Sequence, residues 1–373
     1  MTHMRFLVVL LVLVPLGAGA QPAQRLILPA PNATLAEEFS NLIWARELKD
    51  GRVILSDTRE GRIALADLRT GRVAAISRRG EGPREYPRAV PVWPIGGDSS
   101  VMMDNQQRRW LLFDGPRIVA TVAPDDPVLA AATGTARGTD TLGHVYSAGS
   151  IAGGSGPLSD STALVRVSRS TARTDTLTRL KALVARQISE RNKEGFFRFA
   201  LPTIGTAEEA VPFADGWVAV VRLDPYRVDW RTPEGRWIKG PPLPFEAVRM
   251  NDTEQRSYVA DIAKATGDTA ADPALITDWP AIVPPYQTSI RNLSFLLPAP
   301  DGRVLIPRLA SASQTEARYD VVNRRGTLDG QLILPANERI VSFGLNSAYL
   351  AVTDDDGIQR LRRHAWPPIR ARE

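Results

Sequence analysis

The chain has 373 residues, 43% of them hydrophobic, and this length fits one large all-β domain or two ordinary domains. Cysteine is absent, which excludes cysteine-based zinc sites and thiol nucleophiles, and the three histidines (His3, His144 and His364) lie far apart, which argues against a multi-histidine metal site. The net charge is +5, but the basic residues are interspersed with acids instead of forming a stripe, so we expect no nucleic-acid binding.

The first twenty residues have the pattern of a secretory signal peptide. Arg5 provides a basic start, residues 6–14 are an unbroken apolar run, and residues 18–20 are the small Ala-Gly-Ala that signal peptidase accepts. We therefore predict a signal at residues 1–20 and a folded domain at residues 21–373, exported to the periplasm or the extracellular medium. No later run reaches the roughly 18 apolar residues that a membrane-spanning helix needs.

A short repeat follows the signal. KDGRVILSD (49–57), REGRIALAD (59–67) and RTGRVAAIS (69–77) each begin with a glycine turn and continue as an alternating, β-rich segment. Glycine supplies the positive φ that tight hairpin turns need. The three segments therefore predict consecutive antiparallel strands.

The same kind of turn returns at a longer period. Taking the turns at 51, 97, 143, 216, 302 and 347, three of the five spacings are 45 or 46 residues, and the other two are 73 and 86. A period of about 40–50 residues with four short strands is typical of a propeller blade. We predict an all-β, six-bladed β-propeller of four-stranded antiparallel blades, with two insertions at about residues 181–205 and 246–291.

The last unit ends after three strands, so the ring needs a closing strand from elsewhere. RLILP (25–29) resembles QLILP (331–335), the outer strand of unit five. We predict that residues 25–29 supply the outer strand of blade six and pair with residues 359–364. Closure by the N-terminal strand would remove the exposed sheet edges of an open ring.

The two insertions are predicted to be partly helical. The first half of residues 181–199 has helical spacing, and residues 251–268 read as a helix capped by Asp252 or Thr253. Both insertions connect an outer strand d to the next inner strand a. They therefore lie on the same face of the disc as the turns between strands b and c.

One loop carries a family resemblance. GEGPREY (80–86), between a strand and the next predicted blade, resembles a loop of the exported six-bladed propellers of bacteria that are related to NHL-repeat proteins, with Arg84 where that family usually has glycine. The resemblance implies the propeller fold and export. It implies no activity, because many members of the family have none assigned.

Polar residues at the ends of the predicted strands form a candidate ligand site on the insertion-bearing face. The candidate ligand-binding residues are Arg84, Glu85, Arg222, Tyr226, Tyr286 and Arg308. The arginine pair 222 and 308 lies beside both insertions, and guanidinium groups match carboxylates. We expect a binding module for an anionic ligand, a peptide, a glycan or a partner protein. The alternative is that these residues only form a solvated rim.

Two kinds of enzyme are the alternatives to a binding module. A calcium-dependent lactonase or esterase would need converging oxygen ligands, for which Asp57, Asp104 and Asp354 are the candidates, although arginines occupy the matching positions of blades four and five. A serine hydrolase would need a nucleophile elbow, and no G-x-S-x-G occurs; His144 is the one candidate base. We therefore expect no catalytic residues and no cofactor, and a monomer.

Overall fold

The computed structural model describes residues 23–104, 106–123, 126–131, 135–148, 151–152, 160–184, 186–187, 199–200, 207–266, 279–286 and 296–370. In this part of the chain the main strands form six antiparallel blades of four strands, so the predicted six-bladed propeller is confirmed. No helix in these residues is long and apolar enough to cross a bilayer. The predicted signal, residues 1–20, lies outside the described residues.

The blades follow the chain in order, each from inner strand a to outer strand d. Blade one consists of Leu42–Glu47, Val53–Asp57, Arg62–Asp67 and Arg72–Ala75. Blade two consists of Val92–Gly96, Ser99–Asp104, Arg109–Asp114 and Arg117–Val122. Blade three consists of Thr135–Thr139, His144–Ala148, Ser161–Ser168 and Thr174–Lys181. A short helix, Pro127–Ala131, lies between blades two and three.

The second half of the ring repeats the pattern. Blade four consists of Glu209–Pro212, Val218–Leu223, Tyr226–Arg231 and Trp237–Ile238. Blade five consists of Leu297–Pro298, Val304–Pro307, Glu316–Val322 and Leu328–Pro335. Blade six takes three strands from the end of the chain and one from its beginning, namely Glu338–Phe343, Ser347–Thr353, Gln359–Ala365 and Pro31–Thr34.

An N-terminal strand closes the ring, but the predicted segment was wrong. Pro31–Thr34 is the outer strand of blade six, and Pro31 lies opposite His364. Arg25–Ile27 instead extends blade five, running parallel to its outer strand with Arg25 opposite Gln331. The C-terminal strand Ile369–Arg370 pairs antiparallel to Arg25–Ile27 on its other side. The likeness of RLILP to QLILP therefore marks two strands that lie side by side.

The core lies between the blades. Each of six buried hydrophobic clusters combines side chains of two neighbouring blades. The cluster that joins blades six and one contains Leu42 and Leu55 together with Tyr349 and Leu361. Successive side chains of a strand point to opposite faces, so each blade has an apolar face on either side. Closure of the ring therefore buries the two faces that an open ring would leave exposed.

The insertions differ from the prediction in part. The described residues of insertion one are strands, because Leu183–Val184 pairs with Ile151–Ala152 and Arg186–Gln187 pairs with Phe199–Ala200. These residues therefore form short strands where a helix was predicted. Residues 188–198 lie outside the described residues. Insertion two contains the predicted helix, at Asp252–Thr266.

The cap of this helix is Asn251, one residue before the predicted pair. Its side-chain oxygen accepts the backbone N–H of Thr253 at 2.9 Å and of Glu254 at 3.2 Å. Asparagine is among the preferred N-cap residues, since its side chain satisfies amides that the helix leaves free.

Candidate functional site

A small cavity opens on the insertion-bearing face between blades four and five. Its volume is about 120 Å³. It is lined by three segments: the crossing after blade four (Pro244, Phe245, Glu246, Val248), insertion two (Val283, Pro284) and blade five (Arg308, Leu309, Ser311, Gln314, Arg318, Gln331). The surface of the cavity is mainly polar, unlike the mostly apolar lining that is usual for small-molecule sites.

Arg308 is anchored to a buried carboxylate beside the cavity. Its Nη1 lies 3.0 Å from Oδ2 of Asp320, a residue with no exposed surface. The same Oδ2 accepts the Tyr226 hydroxyl at 2.8 Å, and Oδ1 accepts Nε2 of Gln331 at 2.8 Å. Three donors therefore hold the Asp320 carboxylate, which would otherwise be too costly to bury.

Aromatic rings fix the plane of the Arg308 guanidinium. Its central carbon lies 4.8 Å from the ring centre of Phe245 and 5.7 Å from that of Tyr226. The side chain is 13% exposed, and its Nε and Nη2 groups form no hydrogen bond within the described part of the chain. Arg308 is thus a positioned donor whose remaining N–H groups are available at the cavity.

Tyr226 and Tyr286 are buried behind this arginine and do not line the cavity. Their ring centres lie 6.4 Å apart, and the Tyr286 hydroxyl donates to the Ala207 carbonyl at 2.6 Å. Burial raises the pKa of both hydroxyls well above the usual value, so both are neutral donors. Two of the predicted ligand residues thus lie together next to Arg308, but buried and with their hydroxyls already bonded.

Insertion two is attached to blade five at the cavity. Glu254, in the first turn of its helix, accepts the backbone N–H of Ala312 at 2.8 Å. Val283 donates its N–H to the Val248 carbonyl at 2.8 Å, and Leu309 donates to the Pro285 carbonyl at 3.2 Å. These bonds position the lining residues of the insertion against the strands.

Arg222, the other predicted arginine, is fully engaged elsewhere. Its Nη1 lies 2.6 Å from Glu208 Oε2, and its Nε lies 3.3 Å from Asp229 Oδ2. It also donates to the Arg179 carbonyl at 2.9 Å and to the Thr178 hydroxyl at 3.0 Å. Arg222 therefore joins blade four to blade three, and the predicted pairing of Arg222 with Arg308 in one site has no support in these contacts.

Arg84 and Glu85 lie at the junction of blades one and two, across the ring from the cavity. The Arg84 side chain is exposed, and Glu85 accepts the Gly82 N–H at 3.0 Å and pairs with Arg78. Hydrogen bonding to that amide and to Arg78 lowers the pKa of Glu85. These two residues belong to another surface of the same face.

The three candidate metal ligands each stabilise their own turn. Asp57 accepts four backbone N–H groups, from Ser40 at 2.7 Å and from Asn41, Arg59 and Glu60. Asp104 pairs with the buried Arg109 at 3.0 Å, and Asp354 accepts Arg360 at 2.9 Å. Within the described residues no group of three histidine or acidic side chains is close enough to hold a metal.

Sequence reasoning missed the residue on which the site depends, Asp320. A signal existed, because an aspartate stands in the otherwise apolar buried half of EARYDVV (316–322) and faces the strand that leads to Arg308. It also missed Asp140, which lies 2.8 Å from Nδ1 of His144 and 2.8 Å from the Tyr146 hydroxyl. Asp140 and His144 lie at the a–b turn of blade three, on the face opposite the cavity.

The chain matches no protein-family model and no curated protein. Among solved structures, calcium-binding regucalcin of Agrobacterium tumefaciens is 11% identical, with a TM-score of 0.38 over 94% of this chain and 97% of that one. Virginiamycin B lyase of Staphylococcus aureus, solved with quinupristin, is 8% identical, with a TM-score of 0.41 over 90% and 98%.

A protein of Bacteroides fragilis provisionally described as exported is 11% identical, with a TM-score of 0.45 over 91% of this chain and 93% of that one. Similarity at these levels carries no argument about function.

Proposed function

We propose that this chain is a binding module and that its ligand is a small organic acid held in the cavity between blades four and five. The observation that carries the proposal is the state of Arg308. Its guanidinium stacks on Phe245, one N–H group is anchored on Asp320, and two further donor groups have no partner within the described residues. A carboxylate can accept both remaining donors in the planar geometry that arginine offers.

Among the other lining residues, Arg318 and the apolar side chains fit such a ligand, whereas Glu246 opposes it. Arg318 adds a second guanidinium, whose Nη2 has only a long contact of 3.6 Å to Glu316. Phe245, Val283 and Pro284 provide an apolar wall for the remainder of the ligand. Because Asp320 balances the charge of Arg308, we expect modest affinity that depends on hydrogen-bond geometry and on desolvation of Arg318.

Export and the family relationship are inferred from the sequence. We infer from residues 1–20 that the chain is exported, and from residues 80–86 that it is related to the NHL-like propellers. The alternative reading as a metal-dependent hydrolase has no supporting contact, since Asp57, Asp104 and Asp354 each serve a separate turn. We therefore propose no reaction.

The test compares phenylacetate with its uncharged amide, phenylacetamide, and with shorter monocarboxylates. Binding is measured by calorimetry and by the shift in melting temperature, which rises with ligand concentration by mass action. We expect the acid to bind and the amide not to bind. Equal binding of both, or binding of no monocarboxylate, would refute the proposal.

Two variants locate the site. Arg308→Gln should abolish binding, and Arg318→Gln should weaken it roughly fivefold or more, as loss of one charged hydrogen bond predicts. Arg318 is about one third exposed, so its variant should fold even if Arg308→Gln destabilises Asp320. The matched control is Arg325→Gln at the exposed c–d turn of blade five, which should leave binding unchanged.

A further inference from the structure

A second surface of the same face carries unpaired positive charge. The crossing from blade one to blade two, residues 76–91, and the neighbouring b–c turns expose six arginines. We call these the arginine surface: Arg59, Arg78, Arg79, Arg84, Arg88 and Arg108. The crossing touches both turns, because Arg79 packs beside Gly61 in one and Arg109 donates to Glu81 and Gly82 from the other.

Most of this charge is not neutralised by neighbours. Arg78 pairs with Glu85, and Arg79 Nε donates to the Pro87 carbonyl at 3.1 Å. The other four side chains form no ion pair and no hydrogen bond within the described residues. Glu60, Glu81 and Glu85 are the acids of the same segments, so the arginines exceed them by three.

The backbone that presents these arginines is held from below. Arg109, 7% exposed, donates to the carbonyls of Glu81, Gly82 and Glu85 at 3.3, 2.9 and 2.7 Å. The Tyr86 hydroxyl accepts the Ile63 N–H at 2.7 Å and donates to the Ser77 carbonyl at 3.1 Å. A loop fixed in this way loses little entropy on binding, which favours recognition by its exposed side chains.

We propose that the arginine surface docks an acidic segment of a partner protein, rich in aspartate and glutamate. Guanidinium groups match carboxylates, and complementary charge speeds and orients association. The only aromatic residue of the crossing, Tyr86, is 1% exposed, and no large hydrophobic side chain is exposed in the described loop, so it offers no ring for a sugar and little apolar surface for a lipid.

This inference is independent of the proposed cavity. The arginine surface lies between blades one and two, whereas the cavity lies between blades four and five. Loss of one site should leave the other intact, so either proposal can fail alone.

The test uses a fluorescein-labelled deca-glutamate peptide and anisotropy at low ionic strength, with a deca-glutamine peptide as the uncharged probe. The variant Arg59→Gln/Arg84→Gln/Arg88→Gln is compared with Arg72→Gln/Arg173→Gln/Arg325→Gln, which removes the same charge from exposed arginines of c–d turns and the blade-one rim. All six positions are exposed, and unchanged melting temperatures confirm folding.

We expect the first variant to weaken peptide binding about tenfold or more, since three exposed charge pairs are lost, and the second to weaken it by less than about twofold. Binding should also weaken as salt rises. Equal weakening by both variants, or equal binding of deca-glutamine, would overturn the proposal. It would also be overturned if heparin fragments or phosphatidylglycerol vesicles, but not the peptide, required the three arginines.

Discussion

Nη1 of Arg137 lies 2.8 Å from Oε2 of Glu209, and this ion pair joins the innermost strands of blades three and four. The two side chains are only 2% and 3% exposed. The second oxygen of Glu209 and Nε of Arg137 are buried without a hydrogen-bond partner. Burial, which outweighs the attraction of Arg137, raises the pKa of Glu209 to about 7.

The stability of the ring should therefore depend on this carboxyl group. A raised pKa in the folded state means that the folded chain holds the proton more tightly than the unfolded chain. The contribution is complete below about pH 4.5, is lost as the pH rises to about 7, and is constant above that value. Its size is of the order of a few kcal/mol. Urea unfolding of wild type and Glu209→Gln across this range measures it.

The difference between these two stability curves should slope between pH 4.5 and 7, because glutamine does not titrate. Arg325→Gln, at an exposed side chain of blade five, serves as the control and should run parallel to wild type over the same range. Parallel curves for Glu209→Gln as well would show that Glu209 titrates normally.

Arg109 should be required for the order of the first crossing loop. Arg109→Met removes three bonds to loop carbonyls and leaves the buried Asp104 without its cation, which predicts a loss of about 3–5 kcal/mol in unfolding free energy. The freed loop should be cut faster by trypsin at its arginines. Arg117→Met, at a 78% exposed side chain of the same blade, should change neither quantity. Trypsin resistance equal to wild type would contradict the role assigned to Arg109.

The strand Arg25–Ile27 should contribute to the free energy of unfolding through its buried leucine. Leu26 is 5% exposed within the cluster between blades five and six, so Leu26→Ala should cost about 2–5 kcal/mol. Ile369→Ala, at a 53% exposed residue of the adjoining strand, should change stability by less than about 0.5 kcal/mol. Chemical denaturation of both variants makes the comparison.

Removal of Pro31–Thr34 should have a different effect, because it exposes the edge of Gln359–Ala365. An unpaired edge strand promotes association between molecules. Size-exclusion chromatography of a chain that begins at residue 35, which keeps the buried Leu35, should show aggregates, whereas a chain that begins at residue 30 should be less stable but monodisperse. A monodisperse product from both truncations would refute the assignment of the closing strand.

Asp57 should prove structural and not metal-binding. Asp57→Ala removes the acceptor of four partly buried backbone N–H groups and should lower the unfolding free energy by about 1–3 kcal/mol. Millimolar calcium should shift the melting temperature of neither wild type nor variant. A calcium-dependent rise in wild type that Asp57→Ala abolishes would instead favour the metal site.

Local sequence pattern is enough to predict the blades but not the strand that closes the ring. The glycine turns and strand alternation predicted six blades, since both depend on neighbouring residues only. The same reasoning assigned the closing strand to residues 25–29, but a short apolar strand has no local feature that selects its partner. The chain reaches blade six only at Pro31, after Arg25–Ile27 has paired with blade five.

Only some of the predicted ligand residues lie together in the structure. Tyr226, Tyr286 and Arg308 do lie together, because the strand order places the end of blade four beside blade five. Arg222 does not join them, since Glu208 and Asp229 are nearer and satisfy it. No spacing in the sequence distinguishes a guanidinium whose three nitrogens are all hydrogen-bonded, such as that of Arg222, from one with an unbonded nitrogen.

The sequence by itself determined the blade number, the antiparallel strand order and the face on which both insertions emerge, because hairpin turns and period-two alternation are encoded residue by residue. Only the tertiary structure decided which cations are paired and which are free, and which strand closes the ring. Those outcomes depend on distances between residues far apart in the chain, and a buried charge takes whichever partner the packing of neighbouring blades brings within hydrogen-bonding distance.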